Sequence, residues 1–141
     1  MMIRAFGFSA ALCAALVLGG PLRAEEPVDS AQFIIRNQIA AFLSNDAATA
    51  YSFASPTIQE KFLNQNLFFD MVKRAYQPVF RPGNFAFGRS RIEGDQVIQE
   101  VLITGPDGKD WTAIYQLVKQ PDGGYKINGV QILQSAPGPA I

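Results

Sequence analysis

Few residues of this chain can do chemistry, because it contains no histidine and only one cysteine, Cys13. Without histidine there is no Ser-His-Asp triad and no imidazole acid–base catalyst, and the usual Cys/His zinc sites are excluded as well. The sequence also lacks the glycine motifs that bind phosphates and dinucleotides. Residues 105–108, Gly-Pro-Asp-Gly, are typical of a turn and supply too few carboxylates for a calcium loop. We therefore expect neither a metal nor a cofactor.

Carboxylates and tyrosines remain as candidates for proton transfer, since an aspartate base can work beside a tyrosine donor in an apolar cavity. Two pairs are close in sequence, Asp46 with Tyr51 and Asp70 with Tyr76. Each residue also has a structural interpretation. Asp46 suits a helix N-cap, Asp70 can be solvated or pair with Arg74 at i+4, and the tyrosines can be core aromatics. We favour the structural interpretations and assign no catalytic residue.

A basic stretch interleaved with aromatic residues extends from residue 71 to residue 92 and contains no acidic residue. Residues 93–122 follow with six acids and two lysines. The basic stretch could bind an anionic ligand or an acidic surface. The alternative, which we favour, is that its charges pair with the neighbouring acidic strands.

Three arginines of this stretch, Arg81, Arg89 and Arg91, are the candidate anion-binding residues. Arg89 and Arg91 are two apart, so they would share one face of a strand. Trp111 and Tyr115 are candidates for lining a ligand site, although packing against a sheet is the favoured role of both.

The first 24 residues match an export signal. They contain a basic residue, an apolar run from Ala5 to about Gly20, and Ala24 before the expected cut. The run is shorter than the roughly 20 residues of a membrane span, although an uncleaved anchor is the alternative. We expect cleavage after Ala24 and a periplasmic or secreted protein. Cys13 would be lost on cleavage, which would leave the mature chain without a disulfide.

Charge and hydropathy limit the partners of the mature chain. The sequence has 12 basic and 12 acidic residues, and removal of residues 1–24 would leave 10 basic residues against 12 acidic ones. This balance gives no case for nucleic acid binding. No second long apolar segment follows, so we expect no membrane span after cleavage. We expect one domain over residues 25–135 and a flexible Pro/Gly-rich tail at 136–141.

The first half of the mature chain shows helical spacing of its apolar residues. Capping residues and proline breaks divide this half into four predicted helices. They extend from Ser30 to Leu43, from Asp46 through Phe53, from Pro56 through Leu63, and from Leu67 to Tyr76, where Pro78 ends the last.

The second half alternates with period two and predicts four strands joined by tight turns. Within each predicted strand, alternate residues share one face. These sets are, in strand order, Phe85 and Phe87; Val97, Gln99, Val101 and Ile103; Trp111, Ala113, Tyr115 and Leu117; and Tyr125, Ile127, Gly129, Gln131 and Leu133. Strands joined by tight turns pair antiparallel. The expected fold class is α+β, with N-terminal helices packed in a curved four-stranded antiparallel sheet.

Several short segments carry a resemblance to a known fold. They are Ile35 to Gln38, Asn45-Asp46, Ala50 to Pro56, Phe69 to Val72, Tyr76 to Val79, Arg81-Pro82, Phe87-Gly88 and Gly124 to Val130. Over about Ser30 to Leu133 the chain resembles the nuclear-transport-factor-two-like, or cystatin-like, cone. More narrowly, it resembles an uncharacterised family of secreted proteins from Gram-negative bacteria, whose closing motif more often has Trp where Tyr125 stands. The resemblance implies the cone but no reaction, because the fold includes isomerases, dehydratases, hydrolases, transport adaptors and non-catalytic members.

These observations leave three hypotheses. The first is an exported, non-catalytic domain that binds a small apolar or anionic ligand or a protein partner. The second is a small lyase, isomerase or hydrolase, which requires a carboxylate and a tyrosine hydroxyl to converge in one closed apolar cavity. The third is a homodimer formed through the open face of the sheet.

Overall fold

The computed structural model describes residues 26–135. The predicted export signal at 1–24 and the predicted flexible tail at 136–141 lie outside the described residues. The helices are α1 (Pro27–Leu43), α2 (Ala47–Ser52), α3 (Pro56–Lys61), α4 (Gln65–Ala75) and α5 (Gln77–Phe80). The strands are β1 (Asn84–Glu93), β2 (Gln96–Thr104), β3 (Asp110–Lys119) and β4 (Tyr125–Gln134).

Local capping sets where the helices begin. The prediction that α1 starts at Ser30 was wrong, because Pro27 occupies the first turn, where its missing N–H costs no hydrogen bond. α2 and α3 begin as expected, since Asp46 and Ser55 each accept a hydrogen bond from a backbone N–H three residues on. α4 begins before the predicted Leu67, because Asn64 caps it in the same way.

Pro78 starts a helix rather than only ending one. It lies in the first turn of α5, which the sequence prediction omitted. The first turn of a helix tolerates a proline, because the fixed φ of proline suits a helix and the N–H that it lacks would have no intrahelical acceptor there. Pro78, Val79 and Phe80 are buried, so this short helix is held by packing rather than by length.

The four strands form one antiparallel sheet in the order β1-β2-β3-β4. The predicted faces of β2 and β3 are confirmed. The buried residues are Val97, Gln99, Val101 and Ile103 on β2 and Ala113, Tyr115 and Leu117 on β3, and Trp111 is half-buried. Because helices come first and a strand meander follows, the α+β fold class is confirmed as well.

The predicted face of β4 is wrong beyond Ile127. Leu117 pairs with Ile127 but Gln116 pairs with Gly129, so Asn128 is an extra residue on β4. Such a bulge reverses the alternation of side chains along a strand. Val130, not Gly129, therefore stands opposite the inward-facing Tyr115.

The core lies between α1 and the inner face of the sheet. Ile35, Ile39 and Phe42 recur at helical spacing on α1 and are at most 1% exposed. They pack into one cluster with Val97 and Leu117 of the sheet, which are fully buried. Burying each such side chain stabilises the fold by about 1.5–3 kcal/mol. Within residues 26–135, none of the helices has the length and apolar character needed to cross a membrane.

Candidate functional site

A cavity of about 340 Å³ lies between the helices and β4. Side chains from α1, α3, α4, α5 and β4 line it, together with residues that connect the helices. Its apolar lining includes Phe42, Phe62, Phe68, Val72, Ile127 and Val130. This volume is at the small end of the range of ligand-binding pockets.

Four polar side chains also line the cavity: Gln38, Lys61, Tyr76 and Asn128. Gln38 projects from the apolar face of α1 and is only 2% exposed. Its Nε2 donates to the carbonyl of Ala50 at 3.1 Å, which fixes the amide. Among the described residues, no donor reaches its Oε1, so this oxygen is available to a ligand as an acceptor.

The side chain of Asn128 is fixed beside the cavity by two successive hydrogen bonds. The N–H of Ile58 donates to Oγ of Ser55 at 3.3 Å, and the Ser55 hydroxyl donates to Oδ1 of Asn128 at 2.7 Å. Because the carboxamide oxygen is engaged, the Nδ2 group keeps two N–H donors that no described residue accepts.

The bulge and the loop before α3 position Asn128. The N–H of Ser55 donates to the carbonyl of Ile127, and the N–H of Ile127 donates to the carbonyl of Phe53, both at 2.8 Å. These bonds attach the loop to β4 immediately before the bulge. The extra residue lets Ile127, Asn128 and Val130 all line the same cavity.

The other two polar groups stand where helices end. Lys61 is the last residue of α3 and is exposed, which places its ammonium on the solvent side of the cavity. Tyr76 is the C-cap residue of α4 and is half-buried. Among the described lining residues there is no carboxylate, so Lys61 gives the site a net positive charge.

The candidate acid–base residues do not converge. Asp46 is an exposed N-cap whose carboxylate accepts from the N–H of Thr49 at 3.1 Å, and hydrogen bonding from the side chain and the backbone of Thr49 lowers the pKa of that carboxyl. Asp70 is exposed on α4, which fits the solvated alternative, and Arg74 donates to its backbone carbonyl at 3.3 Å rather than to its carboxylate. Only Tyr76 of the four lines the cavity.

Tyr51 is tied to the backbone of α3 and the residue that follows it. Its hydroxyl donates to the carbonyl of Phe62 at 2.6 Å and lies 3.3 Å from that of Gln59. The side-chain amide of Gln59 in turn donates to the carbonyl of Tyr51 at 3.0 Å. Tyr51 therefore holds the α2–α3 region together rather than facing a carboxylate.

The three candidate anion-binding arginines do not form one site, because Arg81 follows α5 and makes its own contacts, whereas Arg89 and Arg91 lie on β1 and are each paired with a glutamate. Arg89 pairs with Glu100 at 3.2 Å and Arg91 with Glu93 at 2.8 Å, all through exposed or half-exposed side chains. The hydrogen bond from Arg89 lowers the pKa of Glu100. Their charges are thus neutralised within the sheet.

Arg81 has a different role. Its guanidinium donates to the carbonyl of Phe42 and to Oδ1 of Asn45, and it stacks 4.1 Å from the ring of Phe80. It thereby adds a second donor to the carbonyl of Phe42 at the end of α1, which also accepts from the N–H of Asn45 at 3.1 Å. Arg81 and Lys73 also line a second, more open cavity of about 380 Å³ on the outside of α4 and α5.

Trp111 and Tyr115 belong to the inner face of β3 and do not line the main cavity. Tyr115 is fully buried, and burial raises the pKa of its hydroxyl above the ordinary 10.0. Within residues 26–135, neither its hydroxyl nor Nε1 of Trp111 has a hydrogen-bond partner. Trp111 packs on the β2–β3 turn, where a Cβ on Gly105 would come within 3.1 Å of Nε1.

Sequence reasoning missed Gln38, Lys61 and Asn128 as site residues. Gln38 did carry a signal, since it is a polar residue on the apolar face of a helix. Asn128 lies in the closing segment of the resemblance, but only strand pairing shows that it is bulged. No set of three or more acidic, His or Cys side chains in the described part of the chain could hold a metal ion.

Comparisons with known proteins agree with this fold. A family model described as "Domain of unknown function (DUF4864)" matches residues 25–140. A solved structure of an NTF-2 like protein of unknown function from Burkholderia xenovorans LB400 superposes with a TM-score of 0.50 at 14% identity, covering 82% of this chain and 90% of that chain. This similarity confirms the nuclear-transport-factor-two-like fold and no more. No curated protein matches the sequence.

Proposed function

The chain belongs to the family described as a domain of unknown function (DUF4864), and we propose that it is an exported domain that binds a small, largely apolar molecule without transforming it. The observation that carries the proposal is the cavity of about 340 Å³ beside Asn128. An apolar lining with a few convergent polar groups is the usual composition of a small-molecule site.

Binding fits the residues of the cavity better than catalysis. A proton-transfer reaction needs a base within hydrogen-bond reach of its substrate. The described lining offers Tyr76 and Lys61 but no carboxylate, and Asp46 and Asp70 are exposed elsewhere. The lyase, isomerase or hydrolase alternative therefore lacks its second group at this site.

Export rests on the first 24 residues, whose basic start, apolar run and Ala24 match a signal peptide. Export would place the cavity in the periplasm or outside the cell, where it could capture a molecule that crosses the outer membrane.

The experiment is a binding titration with a neutral apolar probe, 2-naphthamide. The full chain is expressed in a Gram-negative host and purified from the fraction that contains it. We expect the methyl resonances of Ile58 and Met71 at the cavity to shift, while those of Ile98 and Ile114 on the outer sheet face do not.

A matched pair of variants checks the location. Val130→Phe would fill the cavity from β4 and is expected to abolish binding, whereas Val118→Phe on the opposite face of β3 should leave it unchanged. Equal binding by both variants would contradict the proposal. So would the absence of probe binding together with native mass spectra that show no retained molecule.

A homodimer is a second candidate, favoured by two exposed leucines on the outer sheet face. Leu102 and Leu133 are 49% and 46% exposed, and both pair with Thr112, so they lie in one row across three strands. Burial of this row against a second copy would remove apolar surface from water. Light scattering tests the homodimer. We expect the unmodified chain to be a dimer and Leu102→Lys to be a monomer, and a monomeric unmodified chain at high concentration would reject the homodimer.

A further inference from the structure

Resting on the proposed binding function, we propose that the ligand class is a small organic anion: a carboxylate carried by an apolar body of one or two rings. Lys61 and the Nδ2 group of Asn128 would hold the carboxylate, and the aromatic side of the cavity would hold the rings.

The balance of donors and acceptors points to an acceptor-rich ligand. Asn128 offers two N–H groups, because the hydroxyl of Ser55 occupies its Oδ1. Lys61 offers an ammonium with three donors, and Tyr76 offers a hydroxyl, neither of which has a partner among the described residues. On the acceptor side, the lining side chains offer Oε1 of Gln38 and the same Tyr76 hydroxyl, which can also accept, so donors outnumber acceptors. A carboxylate accepts from several donors at once and donates to none.

The charge at the cavity also favours an anionic ligand. Lys61 is the only charged residue of the described lining, and no carboxylate there neutralises it. This distinguishes it from Arg89 and Arg91, whose charges are paired on the sheet. A cation would meet an unpaired ammonium, and a neutral ligand would leave that ammonium without a counter-charge.

The apolar part of the lining defines the rest of the molecule. The ring of Phe68 neighbours the rings of Phe42 and Phe62, at centroid distances of 6.2 Å and 6.3 Å. Aromatic side chains at such spacing present edges and faces to a flat guest. Met71 lines the same space and adapts to irregular shapes.

Three probes of similar shape test whether the charge of the ligand affects its affinity. They are anionic 2-naphthoate, neutral 2-naphthamide and cationic 2-naphthylmethylamine. We expect 2-naphthoate to bind to the full chain at least about threefold more tightly than 2-naphthamide, the scale of an ion pair with an exposed lysine. The amine should bind most weakly. The preference should shrink when the salt concentration rises, because Lys61 is open to solvent.

Two lysine variants locate the effect. Lys61→Gln should lower the affinity for 2-naphthoate to that for 2-naphthamide and leave the latter unchanged. Lys119→Gln, an exposed lysine at the end of β3, should leave both affinities unchanged. Folding of both variants is checked by circular dichroism.

The outcomes separate this inference from the proposed function. If 2-naphthamide binds at the cavity as tightly as 2-naphthoate, or if Lys61→Gln changes neither affinity, the anion preference is wrong and the binding function stands. If none of the three probes shifts the methyl resonances of Ile58 and Met71, the binding function itself fails and the inference fails with it.

Discussion

The hydroxyl of Ser55 donates a 2.7 Å hydrogen bond to Oδ1 of Asn128, 73 residues further along the chain. Ser55 is only 2% exposed and also caps α3, so one side chain fixes both a helix start and the amide of the bulged residue. This contact links the first half of the fold to the edge strand β4 at the wall of the cavity.

Ser55→Ala should therefore lower the free energy of unfolding by more than the loss of a helix cap alone would. It removes the cap of α3 and leaves Oδ1 of Asn128 without its donor, so we expect a loss of about 1–2 kcal/mol in the free energy of unfolding. Urea denaturation measures it. Ser52→Ala, which removes an exposed hydroxyl bonded within α2, is the control and should stay within about 0.5 kcal/mol. Equal effects of the two substitutions would show that the bond to Asn128 contributes nothing.

Arg81 should contribute more to stability than the other candidate arginines. It donates to the carbonyl of Phe42 and to the side chain of Asn45, whereas Arg89 makes an exposed ion pair. We expect Arg81→Met to lower the free energy of unfolding by about 1–3 kcal/mol, since hydrogen bonds from a charged donor are lost. Arg89→Met should lower it less, because solvent screens its pair. Thermal and urea unfolding of both variants decide the order, and a larger loss for Arg89→Met would contradict it.

Two tyrosines that sequence reasoning treated alike should respond oppositely to loss of the hydroxyl. Tyr51→Phe removes a 2.6 Å hydrogen bond to the carbonyl of Phe62, and we expect a loss of about 1 kcal/mol. Tyr115→Phe removes a buried hydroxyl that has no partner in the described structure, so the free energy of unfolding should not fall and should rise by up to about 1 kcal/mol. A clear destabilisation by Tyr115→Phe would reveal a partner for that hydroxyl.

The same buried hydroxyl predicts a dependence of stability on high pH. Burial raises the pKa of folded Tyr115 above the 10.0 of an unperturbed tyrosine, so the unfolded chain loses this proton first. The titration of Tyr115 therefore adds no pH dependence to stability below about pH 10, and stability falls as the pH rises from there towards the folded pKa. The slope is at most about 1.4 kcal/mol per pH unit for this one proton. Urea titrations between pH 9 and 12 should show a steeper decline for the unmodified chain than for Tyr115→Phe, and parallel declines would reject the prediction.

The export signal has a direct test. Expression of all 141 residues in a Gram-negative host should yield periplasmic material whose N-terminal sequence begins Glu25-Glu26-Pro27. A chain that retains Met1 in the membrane fraction would favour the uncleaved anchor. A chain that retains Met1 in the cytoplasm would remove the export part of the proposed function.

Much of the fold could be predicted because it depends on local patterns. Period-two alternation predicted that Val97 and Val101 share one face of β2, because side chains alternate between the two sides of an extended chain. The structure shows that this face is the buried one. Asp46 predicted the start of α2 because a cap acts over three residues, and Pro56 predicted the start of α3 because a proline suits the first turn of a helix. The start of α1 was missed for a local reason as well, because Pro27 begins the helix three residues before the predicted Ser30.

The candidate site could not be predicted in this way. Whether a strand is bulged depends on its register with a partner, and the extra residue Asn128 is defined only against Gln116 and Leu117 of β3. Arg89 and Arg91 looked like a site in the sequence, but the pairing of β1 with β2 places Glu100 beside Arg89. The charge of Arg89 is thus neutralised across the sheet, whereas Arg91 pairs along its own strand with Glu93.

The sequence by itself determined that helices precede a strand meander, the α+β class and the lack of histidine side chains, because composition, capping and periodicity can be read over a few residues. Only the tertiary structure decided that Gln38 and Asn128 share a cavity with Lys61 and that no described carboxylate joins them. The physical reason is that a binding site is a set of distances between residues far apart in the chain, and those distances are set by how the layers pack.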